Sequence, residues 1–361
     1  MRVLFLGSPG AGHLLPMIPL ATAFRDRGHA IAFATLDGGE AITTLDVPHL
    51  PIQPGLDWRH ELRRRGAEVH PDLLARTVAT NSADRAAFVP LAAQVNLAAL
   101  PATISTVRAW RPDLVIYEYL YPAALVAAAE LGIPAIQHEL GFTRTAGLRE
   151  LMLTELGHPG LTPTGTLEIA PRGMIPGPAY GNPVRPIPLD TPGDLPEPTG
   201  RPRIAVTLGT VPPKVDGLTR LDRVVTAAAA IDADFTLVMG RMDISELGSL
   251  PANVQPTGWV PWHRLLETCA AAVHHGGSGT ALAALAAGVP QLVLPDGSDR
   301  FITADAVHAR GAGVKAVAEE VTPELLRRLL ADPGWRTAAR EVSAEIAAMP
   351  TPGEVIDTLV V

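Results

Sequence analysis

Three observations predict an α/β fold of two doubly wound domains whose parallel sheets face each other across a cleft. The chain has 361 residues, more than one core comfortably holds, because single cores stop growing near ~250–300 residues. Short runs that are apolar throughout alternate with helical patterns, as expected of parallel strands covered on both faces. Nine of the 35 prolines crowd between Pro176 and Pro202. A stretch so poor in N–H donors builds neither sheet nor helix and reads as an extended linker. The predicted boundaries are a first domain over 1–190, a second over 191–345, and a tail over 346–361 that packs back on the first.

The elements follow in order. Arg2 to Leu6 is a strand, Gly7 to His13 a loop, Leu14 to Arg27 a helix stopped at Gly28, and Ile31 to Ala34 the next strand. Asp113 to Tyr117 is a strand before the alanine-rich helix Ala123 to Leu131, and Ala135 to His138 is another. The second half opens the same way, with strand Arg203 to Leu208, loop Gly209 to Gly217, helix Leu218 to Ile231 and strand Phe235 to Met239. Ala271 to His274, Gln291 to Leu294 and Gly313 to Val317 are further strands, with helices over Thr280 to Ala287 and Ile302 to Arg310. In such sheets ligands bind beyond the carboxyl ends of the strands, so that rim is where chemistry is sought.

Composition narrows the function classes. With 47% hydrophobic and 18% charged residues, intrinsic disorder is excluded. Cys269 is the only cysteine, which rules out an internal disulfide framework and suits a reducing, cytoplasmic setting. The formal net charge of −8 speaks against nucleic-acid binding through a basic surface. An anionic ligand would therefore be held by local devices. Val3 to Leu6 is too short for a signal-peptide core. Residues 268–295 carry no formal charge, but His274, His275, four glycines and Pro290 break the run, so no membrane span is expected. Arg59, Arg63, Arg64 and Arg65 read as a solvated helix face, and Asp232-Ala233-Asp234 as turn acids with no metal role.

The sharpest local feature is His274-His275-Gly276-Gly277-Ser278-Gly279-Thr280, between a strand and an alanine-rich helix. Glycines let backbone approach a ligand, and a helix start offers N–H groups and the positive dipole end, so the stretch reads as a phosphate cradle without a metal. Neither a P-loop lysine nor a G-x-G-x-x-G fingerprint is present. His13 lies at a helix start, whose dipole favours the neutral ring able to accept a proton; alone it reads equally as a capping or packing residue. Glu118 follows a strand on the same rim, where a carboxylate fixes the tautomer of a neighbouring histidine; a helix-capping role is the other reading. Asp299 stands after a strand, where it accepts from sugar-like hydroxyls or caps the next helix. Trp259 stacks a base at the sheet rim or packs in the core.

With these residues in view, the chain resembles a family-1 glycosyltransferase of GT-B architecture, two Rossmann-like domains, in its bacterial natural-product branch. The resemblance spans nearly the whole length. It rests on GSPGAGHLLPMIPLATAFRDRGH and VTLGTVPPKVDGL, and most on GWVPWHRLL, AAAVHHGGSGTALAALAAGVPQLVLP and DRF in that order. It implies an inverting, metal-independent transfer of a sugar, typically a deoxysugar, from a thymidine- or uridine-diphosphate donor to a small natural-product aglycone. The nucleotide sugar is then a co-substrate and no cofactor is expected. The first domain would bind the acceptor and the second the donor. By position, His13 matches the general base and Glu118 its supporting acid, with Ser8 and Gly12 in the acceptor loop. His274, Gly276, Gly277, Ser278, Gly279 and Thr280 match the diphosphate site. Trp259 and Val260 match the nucleobase wall, Thr210 a further donor contact, and Asp299 with Arg300 the sugar-hydroxyl site.

Three departures stand out. The family often has Asp-Gln where this chain has Asp299-Arg300, Asn where it has Thr303, and Asp where it has Glu118. The chain is also somewhat short, which implies trimmed acceptor loops. A sugar-nucleotide epimerase of the same architecture, or a non-catalytic partner of another glycosyltransferase, are the competing readings. The expected partners are the two substrates, without nucleic acid or membrane insertion, and homodimerisation stays open.

Overall fold

The computed structural model describes residues 1–39, 42, 47–69, 71–72, 88–178, 180–189, 193–209, 218–240, 242–297 and 299–359. The chain divides into two compact units. One comprises Met1–Ala170, Gly177–Arg185 and Met349–Val361; the other comprises Pro171–Pro176 and Pro186–Ala348. Each is a Rossmann-like α/β unit.

In the first unit the elements are β1 (Arg2–Leu6), α1 (Ala11–Leu14), α2 (Ile18–Asp26), β2 (Ala30–Thr35), β3 (His49–Pro51), α3 (Trp58–Val69), α4 (Val89–Trp110), β4 (Leu114–Glu118), α5 (Ala123–Glu130), β5 (Ala135–His138), α6 (Ala146–Glu155), β6 (Gly165–Glu168) and β7 (Asn182–Pro183). The sheet order is β3-β2-β1-β4-β5-β6-β7, with every pairing parallel. Strand β1 shows why its residues are apolar without alternation. Leu4 and Leu6 join the core that includes Val95 and Ala99 of α4, while Phe5, on the opposite face, stacks on Phe33 and meets Phe24 of α2 edge-on. Both faces are covered, so neither position accepts a polar side chain.

The second unit continues with β8 (Arg203–Thr207), α7 (Thr219–Ala228), β9 (Asp234–Val238), β10 (Val254–Thr257), α8 (Trp262–Glu267), β11 (Ala271–His274), α9 (Ser278–Ala286), β12 (Gln291–Val293), α10 (Asp299–Arg310), β13 (Gly313–Lys315), α11 (Pro323–Ala331) and α12 (Pro333–Ala348). Its order is β10-β9-β8-β11-β12-β13, again parallel. A last helix, α13 (Pro352–Leu359), belongs to the first unit. Arg185 brings the chain back by donating to the carbonyls of Met349 and Pro350, and the Arg27 guanidinium pairs with Asp357 at 3.3 Å.

Both sheets reverse their winding at one place, between β1 and β4 in the first and between β8 and β11 in the second. At such a reversal the helices after the two central strands leave to opposite sides, opening a crevice at the carboxyl ends. The glycine loops therefore open at the two switch points.

Several elements differ from the sequence expectation. The first helix is not continuous. It begins at Ala11, tightens to a 3₁₀ turn at Leu15–Met17 around Pro16, and resumes at Ile18, because a proline has no N–H for the helical ladder. The helix after the glycine loop begins at Ser278 rather than Thr280, and the next one at Asp299 rather than Ile302. The basic run on α3 is a helix face as expected, yet not a purely solvated one: Glu61 is buried and pairs with Arg64 and Arg65. Asp234 opens β9 and is tied to Arg201 and Thr199.

Candidate active site

The first candidate centre lies at the β1/β4 switch point. Glu118, the last residue of β4, is fully buried. Its Oε1 accepts from the Ser8 N–H at 2.8 Å, and its Oε2 accepts from the Leu120 N–H at 2.9 Å. The same Oε2 lies 3.2 Å from His13 Nδ1. Burial alone raises a carboxyl; the His13 charge and hydrogen bond, with the Ser8 and Leu120 amides, outweigh it and hold Glu118 below its ordinary value. Nδ1 of His13 thus faces the carboxylate, which leaves Nε2 as the basic atom. Gly7 is what lets the groups converge, since a Cβ there would lie 3.0 Å from Leu14, 3.1 Å from Glu118 and 3.2 Å from Met17.

This geometry corrects one step of the sequence argument. α1 has four residues, with His13 the third, so little macrodipole acts on the ring. Glu118 is the charge that orients it. Of the acceptor-loop candidates, Ser8 is buried and serves the carboxylate through its amide. Gly12 is exposed, and nothing lies within 4 Å of a Cβ placed there, so packing does not require glycine at that position.

The second candidate centre lies at the β8/β11 switch point. His274 ends β11 and is fully buried. Its Nε2 meets Gln291 Oε1 at 2.6 Å, and its Nδ1 accepts from the Gly276 N–H at 3.0 Å, so the proton sits on Nε2. Burial, only partly opposed by the Gln291 bond, pushes His274 down to about 4. The expectation that this ring meets a ligand directly is thereby corrected. Both nitrogens are spent inside the protein, and the residue acts by fixing Gly276. That glycine has φ +92°, and a Cβ would stand 2.8 Å from the Arg300 carbonyl oxygen; no other residue fits without moving the start of α10. Ser278, Gly279 and Thr280 form the first turn of α9, where helical geometry leaves the N–H groups unspent. The Ser278 hydroxyl is 3.3 Å from that of Thr303, which in turn donates to the Asp299 carbonyl at 3.2 Å. Asp299 and Arg300 therefore belong to a helix turn rather than to a rim loop.

His275 is the residue that sequence reasoning passed over in favour of its neighbour. Its ring is buried against the backbones of Gly209 and Gly277, and its Nδ1 has no hydrogen-bond partner among the described residues. Burial first, then the Arg300 guanidinium and His274, hold it well below the ordinary histidine value. The signal was the doublet itself, since two successive residues at a strand end point to opposite faces. Trp259 is 61% exposed and lies over the Gly240 backbone, so the core-packing alternative does not hold. Val260 is the reverse: its side chain is in the core with Val238 and Leu265, so that side chain offers no face to a base. Thr210 lies outside the described residues.

The buried neutral histidines give a pH expectation. His138, pushed down to about 4 by burial against the opposing Glu139 backbone and Glu118 charge, behaves like His274. Near pH 5 the unfolded chain binds protons at these rings and the folded chain does not. Stability is then complete above pH ~6.5 and is lost as pH falls toward 4, on the order of 2–3 kcal/mol per histidine. The urea midpoint is expected to drop steadily from pH 7 to 4.5; an unchanged midpoint overturns the assignment.

Comparison with known proteins adds to this geometry. The N-terminal domain of the erythromycin biosynthesis protein CIII-like family matches residues 22–159, and its C-terminal domain matches residues 222–361. The chain is 37% identical over 376 residues to the elloramycin glycosyltransferase ElmGT of Streptomyces olivaceus, covering 98% of this chain and 96% of that protein. The crystal structure of the glycosyltransferase SnogD from Streptomyces nogalater superposes with a TM-score of 0.84 at 35% identity, covering 100% of this chain and 98% of that one. The glycosyltransferase VinC, solved in complex with dTDP, gives a TM-score of 0.79 at 29% identity, with coverage of 100% and 98%. Among the described residues no helix is long and apolar enough to cross a membrane. The architecture of two doubly wound units is thus shared with sugar-transferring enzymes, and this chain belongs to the EryCIII-like family of GT-B glycosyltransferases.

Proposed function

We propose that the protein transfers a deoxysugar from a thymidine-diphosphate donor to the hydroxyl or carbon nucleophile of a small natural-product aglycone, with inversion at the anomeric carbon. The observation that carries this reading is the Glu118–His13 pair, built as a general base, in a chain similar along its whole length to ElmGT and to dTDP-bound VinC. In this scheme His13 Nε2 takes the acceptor proton as the nucleophile attacks. Glu118 holds the ring and stabilises the imidazolium that forms. The bond from the anomeric carbon to the diphosphate breaks with its electron pair on the leaving oxygen. One displacement inverts the centre. The α9 amides meet the growing charge, a metal-independent role for preorganised donors, and His274 holds the loop that presents them. A nucleotide-sugar co-substrate and a lone cysteine suit a cytoplasmic enzyme.

Thermal-shift titration with thymidine and uridine diphosphates tests the donor, because a ligand that binds only the native state raises apparent stability. The thymidine nucleotide is expected to give the larger shift; the opposite order overturns the preference. Release of nucleoside diphosphate only when an aglycone is present separates transfer from epimerase chemistry. Trp259 is assigned the base. Stacking contributes about 1–3 kcal/mol per base, so Trp259→Ala is expected to raise the Kd for thymidine diphosphate about 5–150-fold. With its ring largely in solvent, Tm should stay within a degree or two. An unchanged Kd removes Trp259 from the donor site.

A further inference from the structure

Asn96 is the eighth of the 22 residues of α4 and is fully buried. Local rules disfavour it there. Asparagine weakens a helix interior, and an amide in an apolar core costs stability unless its bonds are made. The residues around it on α4, Ala92, Ala93, Val95 and Ala99, all belong to the core.

The bonds are made, and most of them leave the helix. Nδ2 donates to the Ala92 carbonyl one turn back at 3.0 Å and to the Leu120 carbonyl at 2.9 Å, while Oδ1 accepts from the Ala123 N–H at 3.1 Å. Leu120 and Ala123 lie 24 and 27 positions further on, in the turn that joins β4 to α5. The bond to Ala123 also caps α5 from outside, since Pro122 at its N-cap makes no side-chain hydrogen bond. Packing alone would be met by a leucine of similar volume; the two bonds to the turn are what the amide adds.

That turn carries the groups that set the general base. Glu118 begins it, and the Leu120 N–H donates to Glu118 Oε2, the oxygen that faces His13 Nδ1. Leu120 is thus held through its carbonyl by Asn96 and holds the carboxylate through its N–H. Between the two, Tyr119 sets its ring centroid 6.5 Å from that of His13. Thr103, about two helical turns further along α4, offers a contrast. Its hydroxyl donates to the Ala99 carbonyl and so accepts from the Tyr121 hydroxyl at 2.9 Å. It holds a side chain of the turn, not the backbone beside the carboxylate.

We propose that Asn96 is a positioning residue for the general base: from α4 it fixes the turn from Glu118 to Ala123, so that Oε2 stays within reach of His13 Nδ1. This rests on the Glu118–His13 reading above. Loss of the amide frees the Leu120 backbone, shifts the donor that shares Oε2 with the imidazole, and releases the ring from a single tautomer.

The test needs no substrate. Nuclear magnetic resonance of ¹⁵N-histidine-labelled protein at about pH 9, well above the ordinary histidine value, reads the tautomer, with the His13 signal identified by its absence in His13→Ala. The wild type is expected to show Nδ1 protonated and Nε2 bare. Glu118→Gln should move the two nitrogen shifts toward each other, as a tautomer mixture does. Asn96→Leu, which keeps the volume and removes all three bonds, should move them the same way, and should add nothing in the Glu118→Gln background. Thr103→Val should lower Tm and leave the His13 shifts unchanged. Where Asn96→Leu does not fold by circular dichroism, Asn96→Ala replaces it, and loss of the fold in both overturns the proposal in favour of a structural role. Wild-type His13 shifts in a folded Asn96 variant, an effect that adds fully to that of Glu118→Gln, or an equal shift in Thr103→Val overturns it too. Wild-type His13 shifts in Glu118→Gln overturn the pair itself, and the role of Asn96 with it.

Discussion

Replacement of His13 by alanine is expected to lower kcat by about 10²–10⁴-fold, the usual cost of losing a general base, without unfolding the protein. The two halves of that expectation have separate causes. The rate falls because no other side chain in the described part of the first unit is paired to Glu118, so the acceptor would have to surrender its proton to solvent. The fold survives because the His13 side chain is 30% exposed and because Glu118 keeps its bonds to the Ser8 and Leu120 amides. The carboxylate is therefore not left bare when the imidazole goes. Donor affinity should be unchanged, since the elements assigned above to the nucleotide belong to the second unit, and the kcat effect should stand apart from the donor KM. Turnover near wild type with an authentic donor and aglycone would remove His13 from its assigned role.

The comparison of expectation with structure divides along a physical line. What depended on local pattern was readable: strands apolar on both faces, helices between them, glycine loops at strand ends, and the two ends of the His13–Glu118 pair. What depended on which strands lie side by side was not. Gln291 looks like an ordinary strand opening, yet parallel pairing of β11 with β12 puts it beside His274 and so decides where that ring points. Asp296 stands in a Pro-Asp-Gly sequence that any turn would explain; only the fold brings Arg220, 76 positions earlier, onto it. Val260 and Trp259 are neighbours in a motif and have opposite fates, one in the core and one in solvent, because successive side chains leave an extended segment on opposite sides. Glycine loops advertise a site; the side chains around it are assembled from a distance.

Glu118 carries the other large effect, and here catalysis and stability move together. Glu118→Gln keeps the volume but replaces one accepting oxygen with an amide that donates, facing groups that donate already. Either the Ser8 N–H or the side of Leu120 and His13 loses its acceptor. Leaving a buried donor unmet costs about 1–3 kcal/mol, and the imidazole loses what fixes its tautomer, a defect expected to lower kcat by about 10²–10⁴-fold. Glu118→Asp restores the charge but shortens the arm by a methylene, so it cannot reach the two amides and Nδ1 together; its kcat should lie between the wild type and Glu118→Gln. The pH dependence separates this from a merely structural defect. Because the folded pKa of Glu118 is depressed, its ionised form stabilises the native state above about pH 4.5, and that contribution is lost as pH falls through the folded value. The stability deficit of Glu118→Gln should therefore be full at neutral pH and shrink in acid. Urea midpoints across pH, set beside kcat at neutral pH, check both parts. A deficit that does not change with pH would make Glu118 a packing residue, and wild-type kcat in Glu118→Gln would dissolve the pair.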